Sequence, residues 1–307
     1  MNGIKWLLEN ADPSLEYQVA RDLQHKTENQ CTLLQKRIAL NGHGKLLLDK
    51  RNANGHWGNG AYNPKWICTH YVLFELMQLG LGPADKDCRK SAGLLLSYPE
   101  GIDGGVNYAK TIKHSDVCIN GMLLSIGSYF KVNKELIDPV IEYILKVQMN
   151  DGGWNCQYYT GATHSSLHTT ISVLEGIEEY IRGGYEHRIK ELRKAKREAI
   201  EFILIHRLYK SEKTKEVIKD DFFKYTFPVR WKYDILRCLD YFRKAEIAYD
   251  TRMEEGIKRI EQARNNQGIW KGYSQAGKEY YKIERDKWNT LRALRILEYY
   301  QSSRTGG

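Results

Sequence analysis

No apolar run in this sequence approaches the ~20 residues that a bilayer-spanning helix needs, which excludes helical membrane spans. The opening residues, MNGIKWLLENADPSLEY, lack the basic start, apolar middle and small-residue cleavage site of a secretory leader, so a soluble cytoplasmic protein is expected. The six cysteines, at 31, 68, 88, 118, 156 and 238, are scattered through 307 residues and lack the density of a disulfide scaffold. Reduced thiols are expected, and any special cysteine is then a ligand or a nucleophile. The net charge of +9 lacks strong clustering. Its densest stretch, Arg188 to Glu198, includes Glu191 and Glu198 and runs on into AIEFILI, which suits the solvated face of an amphipathic helix. With no RNA or DNA motif in the chain, nucleic acid is not an expected partner.

What is present is a repeat: a polar residue, three others, glycine, any residue and then a large apolar residue. RNANGHW ends at Trp57, EGIDGGV at Val106, QMNDGGW at Trp154 and RNNQGIW at Trp270. The first three endpoints are 49 and 48 residues apart. The last gap, 116 residues, is about twice that with an insertion, so a degenerate copy is expected near 212–226. After a linker following each phrase, apolar spacing of three and four predicts helices over 66–79, 117–129, 167–181, 231–242 and 288–299. More charged helices are expected between them, near 84–97, 134–148, 185–207 and 250–264. At the N-terminus the pattern gives a short helix over 4–9, one capped by Asp12 with Pro13 in its first turn, and a longer one over about 30–49. The chain therefore reads as all-α and as one domain over 1–302, with N-terminal helices in 1–50, hairpin repeats in 51–302 and a flexible tail at 303–307. Such hairpins stack as an open solenoid or close as a ring, and periodicity does not choose between them. The apolar, aromatic first helices, YVLFELMQLGLG and INGMLLSIGSYF among them, favour an α/α toroid with about six inner and six outer helices.

Chemistry is concentrated in His114-Ser115-Asp116-Val117-Cys118 and in THSSLHTT, residues 163–170. Both segments precede or begin predicted first helices. Residues two apart on a helix point about 200° apart, so Asp116 and Cys118 can share a metal only with Asp116 at or before the cap, a place that aspartate favours. Cys118 and His168 are 50 residues apart, close to the repeat spacing, which puts them at corresponding places on neighbouring helices. Carboxylate, thiolate and imidazole suit Zn2+, and three protein ligands leave a fourth tetrahedral position for water or substrate. Cys156, just after the QMNDGGW turn, is the residue placed to close that position and make the zinc structural. His164, His114, Cys68 and His70 stand in reserve, Cys68 because it lies 50 residues before Cys118. On spacing alone, a metal-free arrangement of buried cysteines and a capping aspartate explains the pattern equally well.

A Gly-Gly turn followed by Asp-x-Cys, then a Gly-Gly turn followed by His-Thr, resembles the β subunits of protein prenyltransferases. QMNDGGW is similar to the QW motif of squalene and hopene cyclases, and DGGWNC with HSSLHTTISVLEG resembles bacterial prenyltransferase and squalene oxidase repeat proteins. The likeness runs over about 50–300, with most of its specificity in 101–177. It implies an α/α toroid whose zinc, held by Asp116, Cys118 and His168, activates an acceptor thiol. It also implies Lys110, Lys113 and His56 as counterparts of residues that hold a diphosphate. The implied partners are an apolar or isoprenoid-like small molecule and a protein or peptide acceptor. Trp66, Trp154, Trp231, Tyr233 and Trp288, near helix starts, are candidate walls for an apolar ligand, although each taken singly fits a core more readily. Asp234, beside Arg230 and Tyr233, suits a structural ion pair.

The departures from the family are specific. Ile119 stands where the family carries a tyrosine, and neither Asp-x-Asp-Asp nor DDxxD is present, which disfavours cyclisation of polyenes. The expected function is a zinc-dependent enzyme, prenyltransferase-like, acting on an apolar substrate, with isoprenoid diphosphates in that class. The alternatives are a zinc-stabilised toroidal binding protein and a zinc-dependent peptide cyclase. The lanthionine-forming cyclases of the last type use one His and two Cys as ligands, where Asp116, Cys118 and His168 are expected here, which counts against that alternative.

Overall fold

The computed structural model describes residues 3–109 and 111–304, so the part of the expected tail beyond 304 lies outside the described residues. Among the described residues there are thirteen α-helices and no strand longer than an isolated bridge, so the protein is all-α. The helices are α1 (Gly3–Leu8), α2 (Pro13–Asp22), α3 (Glu28–Arg37), α4 (Gly42–Asp49), α5 (Thr69–Leu79), α6 (Lys86–Leu96), α7 (Val117–Tyr129), α8 (Lys134–Lys146), α9 (Leu167–Arg182), α10 (Ile189–Ile205), α11 (Ile235–Lys244), α12 (Glu254–Gln262) and α13 (Arg285–Arg304). Contacts gather them into two compact units, one from Met1–Asp49, Gln78–Gly82 and Leu204–Gly307, the other from Lys50–Met77 and Pro83–Ile203.

In the first unit, the helix expected over 30–49 is two helices. Gly42 breaks it at φ +68, a left-handed conformation that glycine tolerates, and a Cβ there would meet the Asp12 carboxylate at 2.2 Å. Asp12 caps α2 through Ser14 N–H and also accepts from His43 N–H at 2.7 Å, which fixes the start of α4. The helix expected from Trp231 begins four residues later. Asp234 is its cap, accepting Arg237 N–H at 2.7 Å and Thr226 N–H at 3.3 Å, and the Arg292 and Arg237 charges also favour its ionised form against burial.

The second unit is organised by α7 and α9. Every residue of α7 from Ile119 to Ser128 is buried, as befits a helix apolar on all sides, and α9 is buried along most of its length. Their backbones touch at glycines. A Cβ on Gly121 would lie 2.7 Å from Val173 N, and one on Gly176 would lie 2.4 Å from Gly121 O. The order of these contacts makes the two helices parallel, with residue numbers offset by about fifty.

The four repeat phrases have one local structure. Asn52, Gly101, Met149 and Asn265 each donate their N–H to the carbonyl four residues on and accept from the N–H three residues on. The third-following residue, Gly55, Gly104, Gly152 or Gly268, has φ between +86 and +94, which explains its glycine. The last residue of each phrase then donates its backbone N–H to a side chain of the following helix. Trp57 donates to Thr69, Val106 to Asn120, Trp154 to Thr170 and Trp270 to Thr290, all at 2.9–3.0 Å. In the region expected to hold a degenerate copy, Ser211 N–H bonds Glu216 O and Lys215 N–H bonds Ser211 O, a version of the turn that is one residue wider.

Candidate metal centre

The hydrogen bonds from the turns supply a register finer than the sequence spacing. Cys118 lies two residues before Asn120 and His168 two before Thr170, so they hold the same place on α7 and α9. Cys68 lies one residue before Thr69, which puts it level with Ile119 and Thr169, not with Cys118. Counting by fifty is wrong there because the first interval between these helix residues is 51. Cys68 is also completely buried.

The loops that deliver the two helix starts are clamped from the Asp-Gly-Gly turns. Asp103 accepts both the N–H and the hydroxyl of Ser115 at 2.8 Å, and Asp151 accepts the same two groups of Ser165. Tyr158 adds its hydroxyl to Asp103, and Tyr143 donates to Ser115 O at 2.8 Å. Burial raises the Asp103 pKa, but the hydrogen bonds from Tyr158 and Ser115 outweigh it and hold the carboxyl below its ordinary value.

Asp116 is the N-cap residue of α7 with extended backbone, yet its side chain makes no capping hydrogen bond. The carboxylate is thus directed to something other than the helix amides. It is exposed; desolvation by the surrounding protein raises its pKa, with the Lys65 charge opposing. Cys156 comes directly to α7, where the Cys118 N–H donates to its sulfur at 3.3 Å. Hydrogen bonding from the Cys118 side chain is the main cause that lowers the Cys156 pKa; burial and the Asp116 charge oppose it. On the α9 side, Thr169 Oγ1 donates to the same sulfur at 3.5 Å and accepts Cys156 N–H at 3.4 Å. Tyr62 and Tyr71, whose hydroxyls are 2.9 Å apart, border the group. Burial pushes both phenols up, and the nearby Cys118 charge pushes further in the same direction.

The donor set therefore fits zinc in chemistry: two half-buried cysteines joined through the Cys118 N–H and the Cys156 sulfur, an imidazole at the matching register and a carboxylate not used as a cap. Among the described residues, no three His, Cys, Asp or Glu side chains already converge as a metal-binding group.

The remaining candidates have separate placements. His56 binds Thr69 Oγ1 at 2.9 Å, and burial with the Arg51 charge lowers its pKa, which favours the neutral ring. Lys113 is exposed, and Lys110 lies outside the described residues. Trp154 is fully buried with its indole N–H on Ile144 O at 2.8 Å, so it is a core anchor with no surface to offer a ligand. Trp231, Tyr233 and Trp288 belong to the other unit. There Tyr233 is buried and donates to Leu208 O at 2.5 Å, Trp288 is buried and stacks on Phe227, and Trp231 is half-buried. Among the reserve ligands, His114 stacks on Tyr159 with centroids 4.2 Å apart, His164 is exposed and His70 is buried in a cluster with Tyr62, Tyr71 and Tyr108. Sequence reasoning missed Thr169, Tyr62, Tyr71 and the two Asp–Ser clamps; only the recurrence of Asp-Gly-Gly with a serine twelve to fourteen residues later signalled the clamps.

No protein-family model matches this chain, and no curated protein matches it either.

Proposed function

We propose that this chain is a zinc-dependent enzyme of the prenyltransferase-like α/α toroid type, which activates a thiol nucleophile for reaction with an apolar substrate. The observation that carries the reading is the meeting of Cys156 with Cys118 at the N-terminus of α7, with His168 in the same register on α9. Zinc bound there would supply a lowered pKa to an acceptor thiol or water. Cys118, Cys156 and His168 are the donors best suited to hold it, which leaves a fourth position open for water or thiol, and Asp116, beside them, suits a carboxylate that orients the nucleophile; Asp116 as a fourth ligand would close the site and make the zinc structural. Isoprenoid diphosphates remain within the substrate class, with Lys113 as an exposed cation of the adjoining loop.

One observation favours a second reading. With Cys156 against Cys118, the donor set becomes two Cys and one His, the set that zinc-dependent peptide cyclases use, and the nucleophile is then a cysteine of the peptide.

Full chain loaded with zinc is incubated with farnesyl diphosphate and a cysteine peptide, and in parallel with a peptide carrying cysteine and dehydroalanine. Transfer forms a thioether and releases diphosphate. Cyclisation adds the S–H across the dehydroalanine double bond, with loss of free thiol at unchanged mass. A rate no faster than that of metal-free protein in both reactions contradicts the enzyme reading and leaves the zinc-stabilised binding protein.

A further inference from the structure

We propose that Thr169 is a positioning residue of the metal centre, presenting the Cys156 sulfur to an ion shared with Cys118. This rests on the zinc reading above and deepens it. The Thr169 side chain is buried, at 3% exposure, and its one hydroxyl is fully engaged with one residue: it accepts Cys156 N–H and donates to Cys156 Sγ. The second donor to that sulfur is the Cys118 N–H. One sulfur is therefore gripped by α7 and α9 together, at the level where α9 carries His168, the residue next to Thr169. Hydrogen bonds to a ligand sulfur fix its direction and steady its negative charge, which is how outer partners tune a metal site.

The repeat's common turn-to-helix bond does not use this hydroxyl. The bond that ties the turn to the helix is made by the neighbouring Thr170, and its equivalents are Thr69, Asn120 and Thr290. The preceding repeat shows the contrast. In that repeat the residue two after the turn phrase is Tyr108 where this one has Cys156, and the residue before the helix anchor is Ile119 where this one has Thr169. Where the sulfur is absent, so is the hydroxyl.

Cobalt(II) in place of zinc reads the sulfurs directly, because each bound thiolate adds to a sulfur-to-cobalt charge-transfer absorption. The wild-type full chain is expected to show a two-thiolate band, and Cys156→Ser about half of it. Thr169→Val is expected to fall toward the Cys156→Ser level and to lose roughly 10- to 100-fold in zinc affinity by chelator competition. Thr169→Ala, which removes the hydroxyl without adding volume, should behave alike, and Thr169→Ser should restore band and affinity. A wild-type band with unchanged affinity in both hydroxyl-free variants, or failure of Thr169→Ser to rescue, overturns this inference alone. Absence of cobalt uptake by the wild-type chain overturns it together with the zinc reading.

Discussion

A Cβ placed on Gly176 of α9 would stand 2.4 Å from the carbonyl oxygen of Gly121 on α7. No side chain fits between the two backbones at that crossing, and the contact fixes how far α9 is shifted along α7. The placement of His168 opposite Cys118 follows from that shift.

Gly176→Ala should therefore destabilise the fold despite the better helix propensity of alanine, by about 2 kcal/mol, since overpacking a backbone contact forces the helices apart. Denaturant unfolding measures this. A neutral or stabilising result would mean that the crossing relaxes freely and does not set the register.

Much of the frame was legible in the sequence. The spacing placed α7 over its observed residues and α9 to within one residue, because apolar residues recur at helical spacing through both and Gly183-Gly184 ends α9. Asp12 and Pro13 marked the start of α2 for the usual capping reasons. Three features were hidden. The break at Gly42 depends on Asp12, thirty residues away, accepting from His43. The level of Cys68 depends on an interval of 51 residues, not 50, between the helix residues that anchor the first two turns, Thr69 and Asn120, which an average period of fifty conceals. The contact of Cys156 with Cys118 depends on how a loop folds back onto α7, and no periodicity reports on a loop.

Asp103 should make stability depend on acid. Its folded pKa is depressed, so its contribution is fully present above the unfolded value of ~3.9 and is lost as pH falls through the folded value below that. Asp103→Asn is expected to cost about 2 kcal/mol at neutral pH and progressively less below pH ~4, where the wild-type carboxyl is itself protonated. Thermal unfolding of both proteins across that range tests this. A difference that stays constant with pH would contradict the role assigned to the Ser115 clamp.

In the other unit, Arg295 of α13 bridges Asp22 of α2 and Asp240 of α11, at 2.7 Å to each. Burial opposes ionisation of Asp240, but Arg295 and Arg243 outweigh it and hold the carboxyl well below the usual range. Arg295→Met should cost about 3 kcal/mol, because it leaves the mostly buried Asp240 without its main partner and Asp22 with Arg21 alone as its close one. Equilibrium unfolding checks the magnitude, and a loss below about 0.5 kcal/mol would mean that the neighbouring arginines take over.

Trp154→Phe should lower stability by about 1–2 kcal/mol, through loss of the indole hydrogen bond to Ile144 O and of packing volume, without changing zinc content. Loss of zinc from a folded Trp154→Phe protein would assign the tryptophan to the site and not to the core.

The most direct test of the central claim is the zinc content of the purified full chain, measured by mass spectrometry of the metal, for wild type, Cys118→Ser, Cys156→Ser and His168→Ala. One zinc ion per chain in the wild type, with loss in all three folded variants, is the predicted result. Wild-type protein without stoichiometric zinc, or full zinc retention in both Cys118→Ser and His168→Ala, would contradict it.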